Sequence, residues 1–261
     1  MQSSKNKFTR YKNLVKYITN WKSYLLFKIY SKDECFIFKL NNSFSVKVPR
    51  TMLSAFKESF LDDIYLRGFP KEIFKEESMT VIDIGANAGF FSLYTFYHFP
   101  SSKVFAYEPM PYNFSVLKQY QMKYSDFEFN IHQKAIGAKE GKITLNASKL
   151  DGYTTMASVF EKDYNTHQIE VECVTLAQIM AHNHLHTVDL LKLDCEGAEY
   201  EILYNTSNHD LHKIQLMCIE THLGTGAREN TSALEKFLKE RNFKVDTLDE
   251  GKTGYLWAWK E

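Results

Sequence analysis

Cysteine, proline and glycine are all scarce in this chain of 261 residues, at 4, 5 and 11 positions. The cysteines (Cys35, Cys173, Cys195, Cys218) lie far apart and form neither a C-x-x-C pair nor any metal-ligand spacing. That argues against a disulfide scaffold and for a reducing compartment. There is no internal repeat and no low-complexity linker. Nor is there a long apolar run, because the most apolar early stretch, Tyr24 to Tyr30, is short and interrupted by Lys28. A bilayer-spanning helix needs about 20 apolar residues, so no transmembrane segment is expected. No signal peptide is visible either, and the expected location is the cytoplasm.

Acidic residues are missing from one region in particular. Residues 1–32 hold eight basic side chains (Lys5, Lys7, Arg10, Lys12, Lys16, Lys22, Lys28, Lys32) and no acid. The chain is neutral overall, with 32 basic and 32 acidic groups, so the remainder carries 24 basic against 32 acidic and a net charge of −8. Phosphate backbones require concentrated Lys and Arg, so no nucleic-acid partner is expected for that body.

What is present is ordinary for a globular chain: 44% apolar and 25% charged residues. The length fits one α/β domain plus an extension. Leu14, Ile18, Trp21, Leu25 and Ile29 recur at helical spacing with lysines between them, which predicts one amphipathic helix. Its apolar stripe would pack on the core or in a homodimer, with peripheral membrane contact through residues 10–30 as the alternative. Cys35–Leu40 and Ser43–Val48 read as strands joined at the Asn41-Asn42 turn, and a helix is expected over Met52–Leu66. These elements form an N-terminal extension, residues 1–75.

From Met79 onward, within a domain expected to span residues 76–261, strands and helices alternate, as in a parallel sheet. The expected strands are Met79–Ile84, Lys103–Tyr107, Phe127–His132, Val188–Leu193 and Ile214–Ile219. Helices are expected over Phe90–Tyr97, Asn113–Lys123 and Ser232–Glu240. Ile143–Leu145 and Ile169–Val174 form an added strand pair, joined by a polar stretch from Lys149 to Thr166 whose length suggests a lid. Two closing strands, Phe243–Leu248 and Gly254–Trp259, suit a sheet edge ending in an antiparallel strand.

The segment Val81-Ile82-Asp83-Ile84-Gly85-Ala86-Asn87-Ala88-Gly89-Phe90 runs strand, glycine turn, helix. The turn then lies outside the carboxyl end of the first strand, where doubly wound sheets bind ligands. Gly85 and Gly89 permit close backbone approach. The segment is neither G-x-G-x-x-G nor a P-loop. Glu108, at the end of the second strand, is placed to accept hydrogen bonds from the ribose hydroxyls of an adenosine. Asp83 would face a positive group of the same ligand. A second segment, Asp194-Cys195-Glu196-Gly197-Ala198-Glu199, follows the fourth strand, with Glu196 expected to begin the next helix and Glu199 to serve as a structural hydrogen-bonder. Glu220 and His222 end the fifth strand on the same rim. The alternation His182-Asn183-His184-Leu185-His186 reads as a solvated connection rather than a metal site.

Five ordered runs, VIDIGANAGFFSL, FAYEPMPYNFSVL, AIGAKEGKITL, DLLKLDCEGAEYEIL and CIETH, resemble the FkbM family of methyltransferases over roughly residues 80–222. The resemblance implies a class I methyltransferase (Rossmann-like) doubly wound sheet with a C-terminal antiparallel strand, occupying residues 76–261. It implies S-adenosylmethionine (SAM) as cofactor and O-methylation of sugars, as in surface polysaccharides or nucleotide-linked precursors, or of polyketide products. Carried across, the cofactor residues are Asp83, Gly85, Asn87, Gly89 and Glu108, with Ala86 in the same turn, and the Asp-x-Glu-Gly-x-Glu positions are Asp194, Glu196 and Glu199. From their place on the rim, Asp194, Glu196, Glu220 and His222 are the catalytic candidates. Lys134 stands where many methyltransferases carry the Asp or Asn that contacts adenine. A general base, His222 or Asp194, would take the acceptor proton. A divalent ion on Asp194, Glu220 and His222 is a variant, but a hydrogen-bonded carboxylate cluster is the preferred reading and no metal is expected. A nitrogen or protein acceptor, and an inactive SAM-binding module, are the other function classes.

Overall fold

The structure, a computed structural model, describes residues 2–74, 78–147 and 167–260. The chain divides into two compact units, Met1–Ile64 and Tyr65–Glu261.

The first unit opens with α1 (Gln2–Tyr17) and α2 (Trp21–Tyr30), two helices where the spacing predicts one. The break comes from bonds to a distant strand. Around β1 (Cys35–Lys39), the Thr19 amide donates to the Lys39 carbonyl at 2.8 Å, and the Asn20 side chain both donates to Ile37 O and accepts from Lys39 N. Three residues leave the helix to make these bonds, and the apolar stripe is rephased. Leu14, Ile18, Tyr24 and Phe27 are buried, whereas Ile29 is 69% exposed. β1 pairs antiparallel with β2 (Ser45–Pro49), Phe38 opposite Val46. The hairpin turns at Asn42 with φ +64°, a conformation Asn tolerates better than most residues. α3 (Leu53–Phe60) stacks Phe56 on Phe38 with ring centroids 4.1 Å apart. It stops six residues short of the expected Leu66. Asp63 takes φ +52°, and the Leu61 and Asp62 amides both turn back onto Lys57 O. The Asp62 carboxylate is also engaged by Arg10.

In the second unit, residues 65–69 pack against its own last strand. Trp257 Nε1 donates to Tyr65 O at 3.0 Å, and Phe69 meets the Trp259 ring edge-on. The order is then β3 (Thr80–Ile84), α4 (Phe90–His98), β4 (Lys103–Tyr107), α5 (Pro111–Lys123) and β5 (Glu128–His132). β6 (Ala135–Ile136), β7 (Gly141–Ala147), β8 (His167–Val174), α6 (Leu176–His182) and β9 (Val188–Leu193) follow. The chain ends with α7 (Glu199–Tyr204), α8 (Asn208–Leu211), β10 (Ile214–His222), α9 (Thr231–Lys239), β11 (Lys244–Asp249) and β12 (Thr253–Trp259).

Seven strands form one sheet in the order β11-β12-β10-β9-β3-β4-β5. β12 pairs antiparallel with both neighbours, and the pairs from β10 to β5 are all parallel. This is the class I methyltransferase arrangement anticipated from the closing strand pair. The central strands are buried on both faces, which explains why β3 and β9 are apolar runs rather than alternating ones. The added strand pair becomes a three-stranded sheet, because β6 runs parallel beside β8 while β7 pairs antiparallel with it. α6 begins in a capping box formed by Thr175 and Gln178, a signature present in the sequence. The expected lid over 149–166 lies outside the described residues.

Candidate active site

Parallel register sets the geometry. Ile84 pairs with both Tyr107 and Leu193, and Leu193 pairs with Ile219. The carboxyl ends of β4, β3, β9 and β10 are therefore side by side, and the residues just beyond them share one edge.

At the end of β3, Gly85 and Ala86 both donate their amides to the Tyr107 carbonyl at 3.0 Å. Gly85 has φ +71°, and a Cβ there would lie 1.8 Å from the Asp194 carbonyl oxygen. The glycine is thus required first by the junction of β3 with β9. Asn87 and Gly89 are also left-handed, at φ +54° and +81°, and a Cβ on Gly89 would press on Leu117. The turn is closed by Gly89 N donating to Ala86 O at 2.7 Å.

Glu108 is 4% exposed. One carboxylate oxygen accepts the Asn87 amide and the other the Met110 amide, each at 2.8 Å. Burial pushes this carboxyl up to about 7, against those two bonds and the more distant Lys192. The Asn113 side chain hydrogen-bonds the same carboxyl, so about one of its roughly four acceptor positions is left for a ligand.

Asp83 is fully buried and presents no surface to solvent. Ser92 Oγ donates to its Oδ2 at 2.7 Å, and Lys192 Nζ lies 3.3 Å from its Oδ1. That lysine is 2% exposed, donates to Gly85 O at 2.6 Å, and stands 3.6 Å from Asp194 Oδ2. Burial disfavours its charge, but Asp83 and Asp194 more than offset this and hold it above its ordinary value. Tyr65 donates its hydroxyl to Asp194 Oδ2 at 3.0 Å.

After β9 the chain makes a tight turn, with Glu196 at φ +55° and Gly197 at φ +109°. Glu196 therefore does not begin the helix as expected, because α7 starts at Glu199. Glu199 is fully buried, and its carboxylate accepts the Cys195 amide at 3.0 Å, the Gly197 amide at 3.0 Å and a bond with His222 Nδ1 at 3.0 Å. Having Nδ1 bonded to a carboxylate leaves His222 Nε2 facing Glu196 Oε2 at 3.8 Å and Glu220 Oε1 at 4.0 Å. Burial alone would lower the His222 pKa, but the Glu199 bond and the charges of Glu199, Asp194 and Glu196 raise it to about 9.

Asp194, Glu220 and His222 also bring one ligand atom each within 4.8 Å of one another. Tyr65 and Lys192 already face the same Asp194 oxygen, and an ammonium so close opposes a second cation. His182, His184 and His186 are exposed, with α6 ending at His182, as expected of a solvated connection. Lys134 pairs with Glu172 at 2.7 Å.

The sequence profile of the methyltransferase FkbM domain matches residues 83–245, more than half of the chain. The chain belongs to the FkbM methyltransferase family. Methyltransferase 1 of Beauveria bassiana is 27% identical over 182 residues, which cover 63% of this chain and 71% of the fungal one. The 31-O-demethyl-FK506 methyltransferase FkbM of Streptomyces tacrolimicus is 24% identical, covering 69% of this chain and 78% of the relative. A solved FkbM methyltransferase from Methylobacillus flagellatus superposes with TM-score 0.49 at 14% identity. That match covers 80% of this chain but only 54% of the solved one, so this methyltransferase spans about half its length.

Sequence reasoning missed Lys192, Tyr65 and the coupling of Glu199 to His222. Lys192 leaves a trace, as the one cation in the strand run Val188–Leu193. Tyr65 leaves none, because its bond to Asp194 joins positions 129 apart.

Proposed function

We propose that this protein is a SAM-dependent O-methyltransferase whose acceptor is a sugar hydroxyl. The observation that carries the reading is the Glu199–His222 pair, a buried carboxylate bonded to one ring nitrogen while the other faces Glu196 and Glu220 at the sheet edge. The donor set fits the cofactor: Glu108 offers a buried carboxylate to a ribose diol, and Gly85, Ala86 and Asn87 provide a backbone turn beside it. When bound, SAM supplies an electrophilic methyl group on a sulfonium sulfur.

No covalent enzyme intermediate is needed, so the protein's work is alignment and proton removal. Holding acceptor and methyl donor in line replaces an encounter with a positioned pair, and effective molarities for such arrangements reach about 10⁵–10⁸ M. A sugar hydroxyl is a weak nucleophile, and a placed base adds about 10²–10⁴-fold. His222 Nε2 accepts the hydroxyl proton as the acceptor oxygen takes the methyl. Glu199 holds Nδ1–H and stabilises the resulting imidazolium. Neutral His222 is the working form, and a cation entering this carboxylate-lined edge lowers the ring's pKa toward neutrality. Glu196 and Glu220 are suited to hydrogen-bond neighbouring hydroxyls of a polyol. The Streptomyces relative, by its name a methyltransferase of 31-O-demethyl-FK506, supports oxygen as the accepting atom, and it makes a polyketide hydroxyl the second reading.

The test begins with calorimetric titration of S-adenosylhomocysteine into wild type and Glu108→Ala. Micromolar binding lost in the variant supports the cofactor site, and absent binding by folded wild type overturns it. Methyl transfer to nucleotide sugars and to polyketide alcohols then separates the two acceptors, and methylation only at nitrogen would refute both. Activity is expected to survive a chelator, whereas its loss would assign an ion to Asp194, Glu220 and His222.

A further inference from the structure

The N-terminal unit exposes apolar side chains its own fold does not use. On α1 these are Phe8, Tyr11 and Val15, and on α2 Leu26, Ile29 and Tyr30, with Phe8 74% and Tyr30 77% exposed. The spacings i, i+3, i+7 and i, i+3, i+4 place each set on one helix face, apart from the buried Asn13 and Leu14 of α1 and the buried Tyr24 and Phe27 of α2. Lysines share these outer faces, Lys12 and Lys16 on α1 and Lys22 on α2, and Lys28 lies on the flank of α2; all four are exposed. No acid occurs before Asp33. Lys57 registers this crowding, standing below its ordinary value because of burial first and then of Arg10 and Lys28.

Apolar side chains flanked by lysines, with tyrosines whose polar tips suit a headgroup layer, describe a helix lying in a membrane interface. Among the described residues no helix is long and apolar enough to cross a membrane, so the contact would be peripheral. A second copy is the poorer occupant, because pairing the same faces would bring two acid-free cationic surfaces together. We propose that the outer faces of α1 and α2 dock this protein on an anionic lipid surface, the apolar side chains entering the interface and the lysines meeting lipid phosphates.

The experiment is sedimentation of the full chain with phosphatidylcholine vesicles and with vesicles that also contain phosphatidylglycerol. Wild type should bind the anionic vesicles and release at high salt, since charge attraction is screened. Triple Leu26→Ser, Ile29→Ser, Tyr30→Ser and double Lys12→Glu, Lys16→Glu variants should each bind about tenfold or more weakly. Because every substituted side chain is exposed, both variants should keep wild-type S-adenosylhomocysteine binding, which controls for folding. Equal binding by wild type and variants, or no binding of wild type to anionic vesicles, overturns the proposal. So does a concentration-dependent dimer, seen by sedimentation velocity, that the triple variant dissolves.

Discussion

At the residue scale the site rests on one buried cation. Lys192 sits between Asp83 and Asp194 and also bonds the glycine-turn carbonyl, so a single ammonium ties the end of β3 to the end of β9. Removing one partner of a buried pair leaves the other charge uncompensated, at a cost of about 3–5 kcal/mol. Lys192→Met is therefore expected to lose about that much stability in urea unfolding. Adding Asp83→Asn to it should recover a large part, because the stranded carboxylate is then gone. A double variant no more stable than the single one would show that Asp83 is compensated elsewhere.

At the element scale the decisive feature is the turn between β9 and α7. Left-handed Glu196 and Gly197 reverse the chain so that Glu199 starts the helix under its own turn amides. There, a carboxylate at a helix N-terminus is favoured by the backbone dipole, and it meets His222 arriving on β10. Glu199→Gln tests the coupling. Since Glu199 raises the His222 pKa against burial, its loss should move the rising limb of the kcat/KM–pH profile for SAM, which reports the cofactor-free enzyme, from near 9 to lower pH. Turnover should fall by at most the roughly 10²–10⁴-fold a general base supplies. A lower rate with an unmoved limb would reduce Glu199 to a purely structural part.

For the whole molecule, the half-buried His222 and the buried Glu108 push the pH dependence of stability in the same direction. His222 is held near 9 against an ordinary 6.5, so its contribution is complete below 6.5 and lost as pH rises through about 9. Glu108 is raised from 4.5 to about 7, so the fold favours its protonated form and that contribution fades as pH rises through about 7. Between these values the folded chain binds more protons than the unfolded one, and unfolding free energy falls as pH increases. Tm is expected to decline between mildly acidic and mildly alkaline pH, and to decline less in His222→Gln. A Tm that climbs over this range would contradict both assignments.

The local grammar of strand, glycine turn and helix is written within about ten consecutive residues, which is why β3, Gly85 to Gly89 and the acid at the end of β4 were readable. Parallel pairing then makes strand ends coincide, so Asp194, Glu220 and His222 could be assigned to one rim from order alone. The break between α1 and α2 was not readable, since it is imposed by bonds from Thr19 and Asn20 to β1. Nor was the partnership of Glu199 with His222, 23 positions apart, or of Tyr65 with Asp194. The sequence by itself determined the family, the sheet and which carboxylates gather at its edge, because periodicity and turn chemistry act over a few residues. Only the tertiary structure decided which charges neutralise one another and which ring nitrogen is left facing outward, because those depend on approaches of three or four ångströms between segments that sequence order keeps far apart.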